Sequence, residues 1–228
     1  SGKFMVFYVP FRGPYLKYSK LDVKRLSIRN GKDSVFGAVV STDSFVFDTI
    51  APNRLMGEAL TVIPKCDPKN FWLLCHVVYD SMYYRNNSGR ILVFDYSNNR
   101  LKFHSQLIIP QTYYENFLTV NSAGSIIHFD RSLYQFDKVT GNLTFWKNLA
   151  SDSCDFTWSA MWSSDGKRLF RTEGYNNKYG VYQYDIENIS SLMGRILITE
   201  TNSERVMQLG PDKKIYLATE NQPYLSEI

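Results

Sequence analysis

Three aspartates, Asp95, Asp137 and Asp185, each close an apolar run (ILVFD, LYQFD, GVYQYD) and stand 42 and then 48 positions apart. The turns ahead of these runs repeat on the same period. Ala123-Gly124 aligns with Asp165-Gly166 42 positions on, and Asp165 aligns with Asp212 47 positions on. Asp22, in YSKLD, takes the same slot 73 positions ahead of Asp95, across a longer connection. A period in the forties, with four short strands per period and an apolar first strand, is the pattern of a β-propeller blade. Burial is the physical reason: one four-stranded sheet cannot cover both its faces, whereas a ring of such sheets covers each with its neighbours. The expectation is an all-β propeller of four-stranded antiparallel blades.

The unit is clearest from Ala160 to Asn188. An apolar strand (Ala160 to Trp162) enters the turn Ser163-Ser164-Asp165-Gly166, a second strand (Leu169 to Thr172) leaves it, and a third (Val181 to Asp185) follows. Asp-Gly between apolar runs is a strong hairpin signal, because the turn needs the positive φ that Gly and Asx tolerate. Upstream, Phe4 to Pro10 and Leu16 to Val23 read as a hairpin, Arg25 to Asn30 as a polar link, Gly31 to Ser34 as a turn, and Val35 to Phe47 as one or two strands. The pattern restarts at Ala59 to Pro64, Phe71 to Val78, Ile91 to Tyr96 and Leu101 to Ile109, with Asn98-Asn99-Arg100 as a turn. It restarts again at Phe117 to Val120, Ser125 to Phe129, Leu133 to Asp137 and Thr144 to Leu149, and last at Val206 to Leu209, Lys214 to Thr219 and Tyr224 to Ile228.

At this period the 228 residues hold five blades, whereas propellers commonly close with about six to eight. Residues 1–228 are therefore expected to be a single propeller domain and part of a larger ring, incomplete at the N-terminus and, on a further reading, at the C-terminus. An open set of blades would expose an apolar face at each end.

Composition narrows the function. The net charge is +4 with the basic residues scattered, which gives no support to nucleic-acid binding. No apolar run reaches membrane-spanning length, so no direct membrane insertion is expected. Cys66, Cys75 and Cys154 contain no C-x-x-C, so no zinc site is indicated. Cys66 and Cys75 flank a hairpin, which leaves two readings: a cross-strand disulfide, or free thiols, the commoner state of a buried strand cysteine.

Several segments resemble one propeller family of Bacteroidota, found in exported proteins of type IX secretion and gliding motility. They are Glu58 to Val62 with Asn70 to His76 (EALTV, NFWLLCH), Tyr134 to Asp137 with Thr140-Gly141, Tyr182 to Asp185, and Met207 to Ala218 (MQLGPDKKIYLA). The last is the most specific. The resemblance covers most of the chain from about Phe4 onward and implies a further family blade ahead of Ser1. Lys213 departs from it, standing where the family has Gly, and the loops at Tyr83 to Asn87 and Tyr175 to Lys178 are particular to this chain. The resemblance implies a location in the periplasm, on the outer-membrane surface or outside the cell, and carries no catalytic motif.

Asp22, Asp95, Asp137 and Asp185 read as caps of the third strand that hydrogen-bond the following turn, rather than as a carboxylate ring for a metal. His76 sits in an apolar strand and reads as a core histidine; no H-x-x-x-H or H-E-x-x-H pair exists. G-x-S-x-G, Walker-type and G-x-G-x-x-G motifs are absent from the sequence, and no cofactor is expected. Tyr83, Tyr84, Tyr113, Tyr114, Tyr175 and Tyr179, in or near connections, are the candidate binding-loop aromatics for a protein or glycan, while Trp162 reads as inter-blade core. Two functions follow: a non-enzymatic binding or scaffold propeller of the cell envelope, with protein or surface-glycan partners, or a metal-dependent propeller hydrolase or lactonase with its site at the channel mouth.

Overall fold

The computed structural model describes residues 3–8, 15–29, 32–46, 54–79, 89–109, 117–149, 156–175, 178–188, 195–201, 205–219 and 225–228. These residues form eighteen β-strands in five antiparallel meander sheets, the blades of a β-propeller. The first sheet is β1 (Lys3–Tyr8), β2 (Tyr15–Arg29) and β3 (Lys32–Val46). The second is β4 (Arg54–Pro64), β5 (Phe71–Tyr79), β6 (Gly89–Ser97) and β7 (Arg100–Ile109). The third is β8 (Leu118–Val120), β9 (Ile126–Phe129), β10 (Ser132–Phe136) and β11 (Leu143–Asn148). The fourth is β12 (Phe156–Trp162), β13 (Arg168–Tyr175), β14 (Lys178–Asp185) and β15 (Arg195–Thr201). The fifth is β16 (Arg205–Leu209), β17 (Ile215–Thr219) and β18 (Leu225–Glu227). Strands β4, β8, β12 and β16 approach one another in succession and form the inner edge of the array.

Several details differ from the sequence expectation, among them Lys32 to Ser34, read as part of a turn, which open β3. Arg25 to Arg29 is no link: β2 continues through it, paired with β3 across two register shifts that accommodate its polar residues. Strand β15, RILITET, is not among the strands expected from the sequence; it follows the connection ENISSLMG rather than a two-residue turn.

Turn chemistry fixes each hairpin. Gly124, Gly166 and Lys213 occupy the same place in successive first turns, with φ of +73°, +71° and +69°. Asp165 accepts from the Ser163 hydroxyl at 2.5 Å and the Lys167 amide at 3.0 Å, and Asp212 accepts from the Lys214 amide and, at 2.6 Å, from the Tyr216 hydroxyl. Asn98 and Asn99, with φ of 52° and 60°, make the two-residue turn between β6 and β7.

Among the described residues, the second, third and fourth sheets bury apolar side chains on both faces. One face of the second blade (Trp72, Leu74, Ile91, Val93) meets Leu118, Ile127, Phe129 and Phe136 of the third. Its opposite face carries Leu73, Cys75, Val77, Leu92 and Phe94. The third and fourth blades join through Leu133, Leu149, Ala160, Trp162, Leu169 and Tyr184, and the fourth and fifth through Phe170, Val181, Met207, Ile215 and Leu217. Each Val, Leu, Ile, Phe or Met side chain among them contributes roughly 1.5–3 kcal/mol by leaving water.

The tightest inter-blade approach is at Gly141. Asp137 accepts from the Val139 amide at 2.8 Å and the Thr140 hydroxyl at 2.6 Å, which winds the turn so that the Lys138 carbonyl accepts from Trp72 Nε1 at 2.8 Å. The Trp72 ring then lies over Gly141, where an added Cβ would stand 2.5 Å from the ring. Gly141 also has φ of +75°.

Two outcomes are expected in urea denaturation. Gly141→Ala meets both the ring and the φ restriction and lowers stability by at least about 2 kcal/mol. Lys213→Gly relieves a left-handed backbone without disturbing a core contact and raises stability by about 0.5–1 kcal/mol.

Candidate functional site

The sequence-derived site residues are placed as follows. Tyr83, Tyr84, Tyr113 and Tyr114 lie outside the described residues, as does Cys154. Tyr175 ends β13, and Tyr179, half-buried, is the second residue of β14, opposite Gly174. Asp22 lies in β2 between Lys3 and Ala38. Asp137 and Asp185 each hold the turn that follows them. Asp185 accepts from the Glu187 amide at 3.1 Å and Asn188 Nδ2 at 2.9 Å, and these bonds hold both carboxyls below the usual carboxylate range. Asp95 instead pairs with Lys65 Nζ at 2.6 Å, and that ammonium sits 3.7 Å from the centre of a Trp72 ring. Among the described residues no group of three or more His, Cys, Asp or Glu side chains stands close enough to hold a metal.

The cysteines resolve the other open reading. Both Cys66 and Cys75 are free. Cys66 is exposed in the turn beyond Pro64, whereas Cys75 is buried opposite Leu60, and burial pushes its thiol pKa up.

The joint between the third and fourth blades holds a buried polar cluster. Arg171 and Glu173 alternate on β13 and point at the third blade, with 0% and 4% of their side chains exposed and 3.3 Å between them. Arg171 Nη2 donates to the Thr157 hydroxyl and, at 3.4 Å, to the Asp130 carbonyl. Glu173 accepts from the Tyr184 hydroxyl and from Arg195 Nη1 at 2.8 Å. Two hydrogen-bond donors and the Arg171 guanidinium thus engage the Glu173 carboxylate. The Arg-x-Glu alternation within an otherwise apolar strand (LFRTEGY) was a legible signal of this cluster.

His128 faces the same joint from β9. It is fully buried, and neither ring nitrogen is satisfied by a well-formed hydrogen bond. Burial first, and Arg171 second, hold its pKa well below the usual imidazole range, with the Asp130 backbone pulling the other way. Arg171 stands 42 positions after Phe129. Phe129 fills the corresponding place one joint earlier, 4.6 Å from the ring of His76.

The outer strands carry a second repeated feature, unread in the sequence. In each of the first four sheets the outermost strand carries a residue left without an opposite number at a one-residue bulge: Val40 in β3, which has two further register shifts, and His104, Trp146 and Ile198 in β7, β11 and β15. The residue before it is large and apolar, and in the described side chains it is exposed: Phe103 36%, Phe145 56%, Leu197 45%. Phe103 and Phe145 make edge contacts with Phe94 and Tyr134, at 5.9 and 6.0 Å between centroids. Trp146, Ile196 and Ile198 extend this apolar rim.

No family model and no curated protein matches the chain. Solved structures do. An ancestral GH74 enzyme aligns over 98% of this chain and 30% of its own, at 10% identity and a TM-score of 0.57. The nidogen/laminin complex aligns over 95% and 70%, at 8% identity and a TM-score of 0.51. A functionally unknown protein from Desulfotomaculum acetoxidans DSM 771 aligns over 98% and 68%, at 13% identity and a TM-score of 0.50. These are likenesses of fold.

The buried histidine gives the chain a pH signature. Its folded pKa lies below the unfolded value of about 6.5, so the unfolded chain binds the proton first. The stability it supports is present above pH ~6.5 and is lost as pH falls, by up to about 1.4 kcal/mol per unit, until the folded pKa is reached. The aspartates with lowered pKa act in the same direction only below about pH 4. His128→Phe, which copies Phe170 of the next blade, is expected to flatten the stability profile between pH 6.5 and 4.5, read from urea midpoints across pH.

Proposed function

We propose that this chain is a non-enzymatic binding propeller of the bacterial cell envelope, acting through its outer surfaces on protein or surface glycan. The observation that supports this reading is the rim: three successive outer strands present large apolar side chains to solvent at one repeated position. Scattered exposed apolar residues need no explanation, whereas a recurrent set suggests a surface built to be covered. The carboxylates at the turns are engaged in winding those turns and in ion pairs. The envelope setting, in the periplasm, on the outer-membrane surface or outside the cell, and the link to type IX secretion or gliding rest on the Bacteroidota-like motifs, above all MQLGPDKKIYLA.

The test is co-sedimentation of the labelled chain with Bacteroidota envelope fractions, alongside metal analysis and a screen of lactone and glycoside hydrolysis. Saturable sedimentation that protease or glycosidase treatment of the envelope abolishes is the expected result. A tightly held divalent ion, lost together with hydrolytic activity when Asp or Glu residues are replaced, would overturn the reading in favour of the hydrolase.

A further inference from the structure

The second strands of successive sheets fill each joint from both sides, and their registers show which residues correspond. Trp72 opposite Ile63, His128 opposite Thr119 and Phe170 opposite Met161 take one place, each on the face that looks at the following blade. Phe129 opposite Leu118, Arg171 opposite Ala160 and Leu217 opposite Met207 take the other, on the face that looks back. The joint of the second and third blades thus combines Trp72 with Phe129, and that of the fourth and fifth combines Phe170 with Leu217. Between them, the joint of the third and fourth blades combines His128 with Arg171, both 0% exposed.

This substitution alters what it costs to part the two blades. Among the described residues, neither the His128 nitrogens, the Thr119 hydroxyl nor Trp162 Nε1 has a well-formed hydrogen bond. His128 and Thr119 share the side of the third blade on which Leu133 packs with Ala160 and Trp162. Parting the blades exposes these apolar side chains but hydrates polar atoms that the closed joint leaves unsatisfied, which offsets part of the loss. A joint closed by Phe170 and Leu217 has no such offset. Local opening is therefore easier at the polar joint.

Acid acts on the same joint. The Arg171 guanidinium reaches the Asp130 carbonyl, two residues along from His128, at 3.4 Å. A proton on the enclosed imidazole would be a second buried cation beside it, whereas an imidazole in water takes up a proton near pH ~6.5. The other charged and titratable groups described around the joint are Asp130 and Arg131 beside His128, Lys147 on β11, Glu173 on β13, Tyr182 and Tyr184 on β14, and Arg195 on β15. Burial raises the Asp130 carboxyl, which favours the closed form as pH falls and so opposes the effect. Burial also raises the Tyr184 hydroxyl, which titrates in alkali.

We infer that the joint between the third and fourth blades is an acid-opened seam, in which uptake of a proton by His128 holds the two blades apart and uncovers the apolar surface of Leu133 and Trp162. The seam is a property of the fold and stands apart from the binding-propeller reading.

The test uses the whole chain carrying Ala160→Cys, at a position 1% exposed in this joint, with the buried Cys75 of the second blade as internal reference. Dithiodipyridine labels thiols in acid as well as at neutral pH, and peptide mass spectrometry separates the two sites. Each rate is divided by that of the urea-unfolded chain at the same pH. The Ala160→Cys thiol is expected to be labelled at least about tenfold faster than Cys75. Its rate rises about tenfold for each pH unit below ~6.5, and that slope disappears when His128→Phe is added. Equal rates at the two thiols would mean that the chain opens only as a whole, and would overturn the inference. A rate that is flat with pH, or a slope that survives His128→Phe, would overturn it too. If urea midpoints show that Ala160→Cys does not fold, Ile186→Cys, buried in the same joint, takes its place with the same expected results.

Discussion

The structure depends on one constraint: the second, third and fourth blades are apolar on both faces, so each has to be covered twice. Strand β6 shows it most plainly. Ile91 and Val93 point to one side, Leu92 and Phe94 to the other, and all four are fully buried. A sheet patterned in this way is unstable alone and becomes stable only between neighbours. The successive approach of the inner strands is the geometry that meets this need with short meanders and no crossover connections.

Covering two faces demands close approach where connections cross the joints, and this explains why the turns are so specific. The segment from Asp137 to Gly141 works as one device. The aspartate winds the turn through Val139 and Thr140, the exposed carbonyl of Lys138 receives the Trp72 indole, and Gly141 leaves room for the ring. Two motifs far apart in sequence, the Trp of NFWLLCH and the Thr-Gly that follows LYQFD, thus prove to be the two halves of one contact. Lys213 keeps the same left-handed turn as Gly124 and Gly166 without the residue suited to it, because Asp212 and its bonds to Lys214 and Tyr216 still fix the hairpin.

What was legible in the sequence follows from this division. Turn chemistry is local, so Asp165-Gly166 and Asn98-Asn99 announce their hairpins, and the repeat of Asp95, Asp137 and Asp185 gives the blade period. Asp95 shows the limit. It shares the period but not the role, because Lys65 reaches it from across the sheet while no side chain after it takes the place of Thr140 or Asn188. Strand β15 was missed because its identity lies in pairing with β14 rather than in its flanks. The bulges were missed for a related reason: an unpaired residue is a property of two strands in register, and neither His104 nor Trp146 looks unusual in its own strand.

The polar joint and the apolar rim can be understood together. Replacing the aromatic place of Phe129 with Arg171 one blade later puts a cation into a buried joint, and the cost of its burial is met by Glu173, Thr157 and the Asp130 carbonyl. Glu173 in turn draws in Arg195 from β15, which also stacks over Tyr182 at 4.7 Å. The network therefore reaches from the joint to the first residue of the outer strand. It anchors the end of β15 while Ile196, Leu197 and Ile198 remain exposed beyond it. An outer strand held from within, and interrupted by a bulge, can display apolar side chains without offering a long free edge, which is the condition under which a sticky rim is selective rather than prone to aggregate.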